Sequence, residues 1–347
     1  MKIFNTEADL AAASLGEGQL VRTKGYTSAD DGQGTLWRIA TTGQGVTLAN
    51  GNVAVPYVNE KSGRKNLVIN GGYNIWQRGT SFANVAVAYT ADRFYTSGNR
   101  SIDRSTDLPN DPEIITPYSC LCTGGAGANA QTITAIELPL IGTAGVFKPN
   151  SIFTLSFWIR DNGAGGSDIR ARVRFVDDSL GGTPTDIVPV DVIKQSVAGA
   201  WEKVTYTFDV GAAVPTAGNQ CVDLLIDLVD PAGSFNITQI QLEEGPVATE
   251  FEPRTVGEEL ALCQRYYQHS GATFRFAADR DTSSVRVLNM NFLVGMRVNP
   301  AIVFLNAVGF SGGPNWAGSS QNFVSTGTAT GNTTIATIDG YTADAEL

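Results

Sequence analysis

The chain has 347 residues, of which 42% are hydrophobic and 17% are charged. Its formal net charge of −10 repels phosphate backbones and anionic lipid surfaces, so we expect neither nucleic-acid binding nor membrane insertion, whereas neutral sugars remain compatible partners. The sequence has no apolar run of about 18 residues that would predict a membrane span. The length suits two or three domains, and many short β-branched runs between Gly and Asn residues indicate an all-β protein.

Residues 1–60 are predicted to form a first unit. Thr6 and Asp9 have the spacing of a helix capping box, so a short helix is predicted to follow Thr6. Asn50-Gly51 is a strong signal for a tight hairpin turn between two strands. The strands predicted for this unit cover residues 19–23, 35–40, 46–48 and 53–58.

A polar, charged stretch at residues 60–66 is predicted to be a linker or hinge. Residues 67–253 follow as the largest unit. Apolar and polar residues alternate along its strands, for example from Phe153 to Ile159, which indicates one buried face per strand. About ten such strands favour a jelly-roll β-sandwich. The predicted strands cover residues 67–69, 93–96, 119–123, 131–137, 152–160, 169–176, 188–197, 203–210, 222–228 and 236–242.

Residues 256–268 have apolar positions at helical spacing and are predicted to form a connecting helix. Two roles stay open for it, a cap on the jelly roll or a docking helix at a three-fold interface. Residues 270–347 are predicted to form a C-terminal β-domain in which Gly-rich loops alternate with strands, and Trp316 is placed in one of those loops. The predicted strands cover residues 272–277, 284–292, 301–305, 323–328 and 333–338.

Three stretches resemble known virion proteins. Residues 9–11, 18–26 and 31–39 resemble the short N-terminal module of phage tailspikes and fibres. Two further stretches together resemble the carbohydrate-binding-module-like jelly rolls of phage tail-fibre proteins. The first runs from Asn66 to Gly72 and continues with residues 76–82 and 91–94, and the second covers residues 237–254 and 258–267.

The resemblance implies a virion appendage with a lectin-like fold, often a homotrimer. We therefore expect a non-catalytic fibre or spike component, assembled in the host cytoplasm, that attaches the virion to host surface polysaccharide. Residues 1–60 would contact other virion proteins, and three copies would add avidity to weak sugar contacts. Two alternatives stay open: a structural adaptor or head-attached fibre that binds virion proteins, and a polysaccharide depolymerase spike.

Catalytic signals are weak. His269 is the single histidine, and no G-x-S-x-G nucleophile elbow accompanies it. The acidic doublets Asp30-Asp31, Asp177-Asp178 and Glu243-Glu244 place neighbouring carboxylates on opposite faces of a strand, so they do not predict a glycosidase pair. No catalytic residue is therefore predicted.

Metal and cofactor signals are weak as well. The cysteines Cys120, Cys122, Cys221 and Cys263 match no zinc spacing and are expected to be reduced core residues. Asp168 and Asp177-Asp178 flank one predicted strand and could supply oxygen ligands to a structural calcium ion, but no calcium-loop motif occurs. Neither a metal nor a cofactor is predicted.

Aromatic rings are the expected sugar contacts, because a pyranose face packs on an exposed ring. Trp316, Tyr341 and Tyr118 are the candidate carbohydrate-binding residues, and Trp316 is the foremost because a large ring on a Gly-rich loop needs a packing partner. The remaining tryptophans lie in or beside predicted strands and are expected to pack within or on the sheets: Trp37, Trp76, Trp158 and Trp201.

Overall fold

A computed structural model describes residues 2–17, 19–23, 36–41, 46–56, 65–125, 130–137, 147, 150–176, 185–211, 221–229, 233–271, 274–277, 285–305, 310–329, 335–339 and 341–346. The fold is all-β and mainly antiparallel, with two short helices in these ranges. Neither helix in this part of the chain is long and apolar enough to cross a bilayer.

The N-terminal unit is a five-stranded sheet with one helix. The capping box is confirmed, since the Thr6 hydroxyl accepts from the Asp9 amide and the Asp9 carboxylate accepts from the Thr6 amide. Leu10 of the helix packs with Val21 and Ile39 of the sheet in a small core of its own. The elements are β1 (Lys2–Phe4), α1 (Glu7–Ala11), β2 (Leu20–Thr23), β3 (Leu36–Ala40), β4 (Val46–Thr47) and β5 (Val53–Pro56).

The central unit is a curled ten-stranded sheet that folds into two packed layers, as predicted for a jelly roll. The strands are β6 (Ser81–Tyr89), β7 (Phe94–Ser105), β8 (Ser119–Gly124), β9 (Ala130–Glu137), β10 (Ile152–Asp161), β11 (Asp168–Val176), β12 (Thr185–Gln195), β13 (Trp201–Asp209), β14 (Cys221–Leu228) and β15 (Ser234–Glu244). We name the strands β12, β11, β14 and β9 the first layer, and the strands β13, β10, β15 and β8 the second layer.

Strand β7 joins the two layers. Phe94 and Tyr95 at its start pair with β9 of the first layer, whereas residues 100–105 pair with β8 of the second layer. Gly98 lies between these halves in the left-handed region, with a φ of 81°. Strand β6 pairs along β7 through both halves, so this long hairpin closes one side of the sandwich.

The main core lies between the two layers and takes side chains from both. Phe153 of β10 stacks on Phe147 at 4.5 Å, and Phe175 of β11 meets the same ring edge-on. All four cysteines are buried and free, which confirms the expectation of small apolar core residues. Each fully buried large apolar side chain contributes roughly 1.5–3 kcal/mol relative to an exposed one.

A β-bulge changes which residues of β15 face the core. Between Ser156 and Trp158 of β10, the partner strand advances by three residues, and Gln239 takes a φ of 52°. The inward positions therefore change from odd to even numbers along the strand. The inward side chains on both sides of the bulge are Phe235, Ile237, Ile240 and Leu242.

The expected strand at residues 67–69 is wrong, because a side chain holds this stretch in a tight irregular path. The Asn66 carboxamide accepts from the amides of Val68 and Leu242. Gly71 then approaches β15 so closely that a Cβ there would lie 2.1 Å from the Ile240 carbonyl oxygen. Asn66 is buried, so the end of the predicted linker belongs to the central fold.

The connecting helix α2 (Val256–Gln264) ends four residues earlier than predicted, because Tyr267 and Gln268 belong to a strand. Its buried Glu259 accepts from the Asn70 amide at 2.7 Å, which ties the helix to the jelly roll. The strands that follow are β16 (Tyr267–Ser270), β17 (Phe274–Ala277), β18 (Val285–Asn291), β19 (Ala301–Phe304), β20 (Phe310–Gly318), β21 (Asn322–Ala329), β22 (Ile335–Ile338) and β23 (Tyr341–Asp344).

Ion pairs of two buried arginines fix the C-terminal segment to the central unit. The Arg78 guanidinium lies 3.1 Å from Asp344 and 3.3 Å from Glu346, and Arg93 forms a second ion pair with Glu346. Arg93 also lies over the ring of Tyr266, 3.5 Å from its centroid. The last described residues are therefore part of the same packed body as the jelly roll.

Candidate functional site

The outer faces of the two layers differ in what covers them. The second layer is covered by the chain itself, through residues 106–118 between β7 and β8. The Thr238 hydroxyl donates to the Tyr118 carbonyl at 2.8 Å, and Gln239 donates to the Glu113 carbonyl at 3.1 Å. Where residues 106–118 lie on it, the outer face of the second layer is therefore closed to a ligand.

Further contacts under this segment hold the aromatic side chains of the second layer. Asp107 accepts from the Trp201 indole at 3.3 Å and forms an ion pair with Arg160 at 2.5 Å. Trp158 is half-buried on the same face, opposite Thr238. These tryptophans pack on the sheet surface, as expected from the sequence.

The outer face of the first layer carries a row of arginines. Arg170, Arg172 and Arg174 occupy alternate positions of β11, while the residues between them point into the core. Register places this row beside outward residues of the neighbouring strands: Arg170 pairs with Asp227, Arg172 with Leu225 and Arg174 with Asp223. On β9, Gln131, Ile133 and Ala135 continue the same three rows.

We call this set the polar strip. It consists of the three arginines, the two aspartates, and the pair Gln131 and Ser97, whose amide and hydroxyl lie 2.6 Å apart. Its exposed rim is Val87, which pairs with Ser97 and is 57% exposed. The members of the polar strip are Ser97, Gln131, Arg170, Arg172, Arg174, Asp223 and Asp227.

Both aspartates of the polar strip are buried and paired. Asp227 receives two parallel hydrogen bonds from Arg170, at 3.0 and 2.6 Å. Asp223 accepts from Arg174 at 3.1 Å and from the Tyr95 hydroxyl at 2.7 Å. Bidentate and charge-assisted contacts of this kind fix side-chain geometry.

Apolar side chains form the floor between these ion pairs. Tyr89, Tyr95, Ile133 and Leu225 make a cluster separate from the main core, and no other apolar side chain of the described residues packs on it. One end of the face is closed by Tyr266, which packs on apolar residues of β9, β11 and β14. The polar strip is therefore a row of half-buried arginines and buried aspartates that lies beside a buried apolar cluster, which we call the apolar floor.

Burial shifts the titration of the groups around Asp223. Desolvation raises the pKa of Asp223 above its usual range, and the hydrogen bonds from Tyr95 and Arg174 oppose that shift. Desolvation also raises the pKa of the Tyr95 phenol, with a further contribution from Asp223. The hydrogen bond to Asp227 raises the pKa of Arg170. Tyr95 is therefore a neutral donor at physiological pH.

The structure places the three residues predicted for sugar binding in different surroundings. Trp316 lies in strand β20, paired with Ser325, so its predicted position in a loop is wrong. The Gly-rich stretch is a bulge inside that strand, because Ser311 and Asn315 pair with residues only two apart on β21. The Trp316 side chain lies outside the described part.

Tyr341 and Tyr118 differ in how much of each ring is free. Tyr341 is 4% exposed and packs edge-on against Phe292, so neither face of its ring is open to a sugar. Tyr118 is half-buried, and the Arg104 guanidinium lies over its ring at 4.5 Å. The structure does not bring these two residues or Trp316 into one site.

The other candidate groups remain apart as well. His269 is exposed in β16. Glu243 is buried and accepts from Thr249, whereas Glu244 is exposed, so this doublet does point to opposite sides. Within the described ranges, no three acidic, cysteine or histidine side chains converge as metal ligands. The doublets Asp30-Asp31 and Asp177-Asp178 lie outside those ranges.

The polar strip was missed at the level of sequence, although a signal for it exists. Arg170, Arg172 and Arg174 alternate with apolar residues, which places three cations on one face of a strand. Asp223 and Asp227 likewise share one face of β14. The pairing of the two strands brings both sets together, and local spacing carries no information about that pairing.

Comparison with known proteins gives structural matches alone. No protein-family model and no curated protein matches the sequence. The enzymatically active domain of bacteriophage CBA120 tailspike protein 4 is 16% identical over 52% of this chain, with a TM-score of 0.33, and this chain spans 21% of its length.

Two carbohydrate-binding modules are among the other matches. The C-terminal family 22 module of Clostridium thermocellum Xyn10B is 16% identical, covers 52% of this chain and 99% of its own, and has a TM-score of 0.32. The CBM22-1 xylan-binding domain of Paenibacillus barcinonensis Xyn10C is 11% identical, covers 51% of this chain and 94% of its own, and has a TM-score of 0.30. At such values, ligand and function have to be argued from the residues of this chain.

Proposed function

We propose that the chain is a non-catalytic fibre or spike component of a phage particle that attaches the particle to polysaccharide on the bacterial surface. The polar strip is the observation that carries this proposal, because its three arginines are only half-buried, whereas the matching face of the second layer is covered by residues 106–118. Guanidinium and amide groups donate to sugar oxygens, and carboxylates accept from sugar hydroxyls. The partly exposed guanidinium groups of the strip are such donors, and ion pairs with the buried aspartates hold those of Arg170 and Arg174 in place.

Attachment to the particle and trimer formation are proposed on the sequence resemblance. Residues 1–60 would bind other virion proteins, and three copies of the chain would assemble. Large apolar side chains on the C-terminal unit are compatible with such an assembly, since Leu293 is 77% and Val303 58% exposed. Exposed apolar groups of this size are common at protein interfaces.

The carboxylates of the polar strip support a binding role over hydrolysis. Asp223 and Asp227 lie four residues apart on one strand, roughly 13 Å at about 3.3 Å per residue. Glycosidase carboxyl pairs lie about 5–9.5 Å apart. Each aspartate is also engaged by an arginine, Asp223 by Arg174 and Asp227 by Arg170, so neither stands free as an acid or a nucleophile.

Binding to whole cells tests the proposal. The purified, fluorescently labelled chain is incubated with a panel of encapsulated and capsule-free bacteria, and reducing ends are assayed in the supernatant. Val87→Trp adds bulk at the rim of the polar strip, and Ile115→Trp adds the same bulk at a residue that is 53% exposed in the covering segment of the other face. Trp316→Ala is measured alongside.

We expect binding that requires polysaccharide, is weakened by Val87→Trp, and is unchanged by Ile115→Trp. Release of reducing ends would contradict the non-catalytic role and favour a depolymerase. Absence of binding to every strain, together with capture of virion proteins at both ends of the chain, would favour a structural adaptor. Loss of binding in Trp316→Ala alone would move the site to the C-terminal unit.

A further inference from the structure

The three arginines of the polar strip are not equivalent. Arg170 and Arg174, at the two ends of the row, each form an ion pair with an aspartate of β14. Arg172, between them, lies opposite the apolar Leu225. Among the residues that the structure describes, Arg172 forms no ion pair, although its charge acts on the nearby Asp223.

The side chain of Arg172 also has an unused hydrogen-bond donor. Its Nε atom is buried and has no acceptor within the described part of the chain. The residue as a whole is half-buried, so part of it remains accessible from solvent. A donor that is buried without an acceptor costs free energy, which an incoming acceptor would recover.

We propose that Arg172 binds the anionic group of an acidic saccharide, a carboxylate or a phosphate, in the polar strip. This inference rests on the proposed function and adds the chemical class of the sugar. A planar guanidinium presents paired donors that match the oxygens of a carboxylate or phosphate, whereas a neutral hydroxyl accepts through one oxygen. The neighbouring Arg170 and Arg174 hold their own carboxylates and leave this position to a ligand.

Charge around the polar strip is mixed. On the same face of the sheet as the arginines, Asp168 begins β11 and Asp186 of β12 pairs with Arg174, in addition to Asp223 and Asp227. The attraction for an anionic group is therefore local to Arg172 and does not come from the strip as a whole.

The protein side of the test uses the intact chain and the polysaccharide that it binds on cells. Arg172→Gln should weaken binding by about 10- to 100-fold, the range for loss of a charge-assisted hydrogen bond. Arg104→Gln is the matched control, because Arg104 is an exposed arginine on the opposite face, over Tyr118. Both variants should have the same urea midpoint of unfolding as the wild type, since neither arginine takes part in an ion pair among the described residues.

The ligand side distinguishes the two anions. Carbodiimide reduction converts uronic carboxylates to neutral hydroxymethyl groups, and hydrofluoric acid removes phosphate esters. We expect one of these treatments to weaken wild-type binding as much as Arg172→Gln does, and to have no further effect on that variant. Raising the salt concentration should weaken wild-type binding more than binding by Arg172→Gln.

Three other outcomes would overturn the inference. If the chain binds polysaccharide but neither treatment nor Arg172→Gln changes the affinity, the proposed function stands and the acidic class is wrong. If Arg104→Gln weakens binding as much as Arg172→Gln does, the affinity depends on the total positive charge of the chain and not on the position of Arg172. If the wild-type chain does not bind even the untreated polysaccharide, the proposed function fails and this inference fails with it.

Discussion

Replacing Tyr95 by Phe tests whether the ion pairs of the polar strip hold the first layer in shape. Tyr95 is buried at 3% exposure in the apolar floor, and its hydroxyl donates to an oxygen of Asp223 at 2.7 Å. Asp223 is 1% exposed and keeps two other described donors, Arg174 at 3.1 Å and, as a weak donor, the Cys221 thiol at 4.0 Å. Tyr95→Phe therefore removes one of three described donors from a buried carboxylate and leaves the ring packing in place.

The magnitude follows from the charge of the acceptor. Hydrogen bonds to charged groups contribute about 1.5–3 kcal/mol, more than neutral ones, because the buried group cannot turn to water instead. Since Arg174 still compensates the charge of Asp223, we expect a loss of about 2 kcal/mol in the free energy of unfolding. The desolvated carboxylate should also become easier to protonate, because the Tyr95 hydrogen bond lowers its pKa.

Urea unfolding of wild type and variant, followed by tryptophan fluorescence, measures this loss. Tyr118→Phe is the control, because Tyr118 is half-buried on the other face and its hydroxyl has no partner among the described residues. We expect the control to stay within about 0.5 kcal/mol of wild type. If Tyr95→Phe has the same unfolding free energy as Tyr118→Phe, the role assigned to this hydrogen bond is refuted.

Three further substitutions test other parts of the fold. Gly71→Ala should cost about 2–3 kcal/mol, because its Cβ would lie 2.1 Å from the Ile240 carbonyl oxygen, whereas Gly257→Ala, with open space around it, should be neutral or slightly stabilising in thermal melts. Burial raises the pKa of Glu346 above its ordinary value of 4.5, so proton binding favours the folded chain. We therefore expect the unfolding free energy of wild type, measured in urea relative to Glu346→Gln, to rise as the pH is lowered from above the folded pKa of Glu346 to 4.5. Below pH 4.5 this difference should stay constant. A difference that becomes smaller as the pH is lowered toward 4.5 would contradict the assignment. Leu293→Asp should shift a trimer toward monomer in light scattering after size-exclusion chromatography, and an unchanged mass would exclude this residue from the interface.

Local patterns account for much of the fold. Phe153, Leu155, Phe157 and Ile159 alternate as predicted and face the core, and the capping box of α1 is present. The strand β6 was missed, because its small residues lack the apolar alternation that marks a half-buried strand. The strand forms by pairing with β7, which the local sequence does not encode.

Long-range contacts explain the remaining differences. The bulge at Gln239 shifts the inward face of β15, and it depends on the partner strand β10 rather than on the spacing of residues in β15. The polar strip needs the register between β11 and β14, which sets Arg172 opposite Leu225. Trp316 was assigned to a loop because its Gly-rich neighbours favour turns, yet pairing with β21 extends them into a strand.

The most direct test of the central claim is a crystal structure of the chain with an oligosaccharide fragment of the polysaccharide that it binds on cells. We expect the sugar to lie on the first layer, with an anionic substituent within about 3 Å of the Arg172 guanidinium. A sugar bound beside Trp316 in the C-terminal unit, or on the second layer beside Tyr118, would contradict the assignment of the polar strip as the binding site.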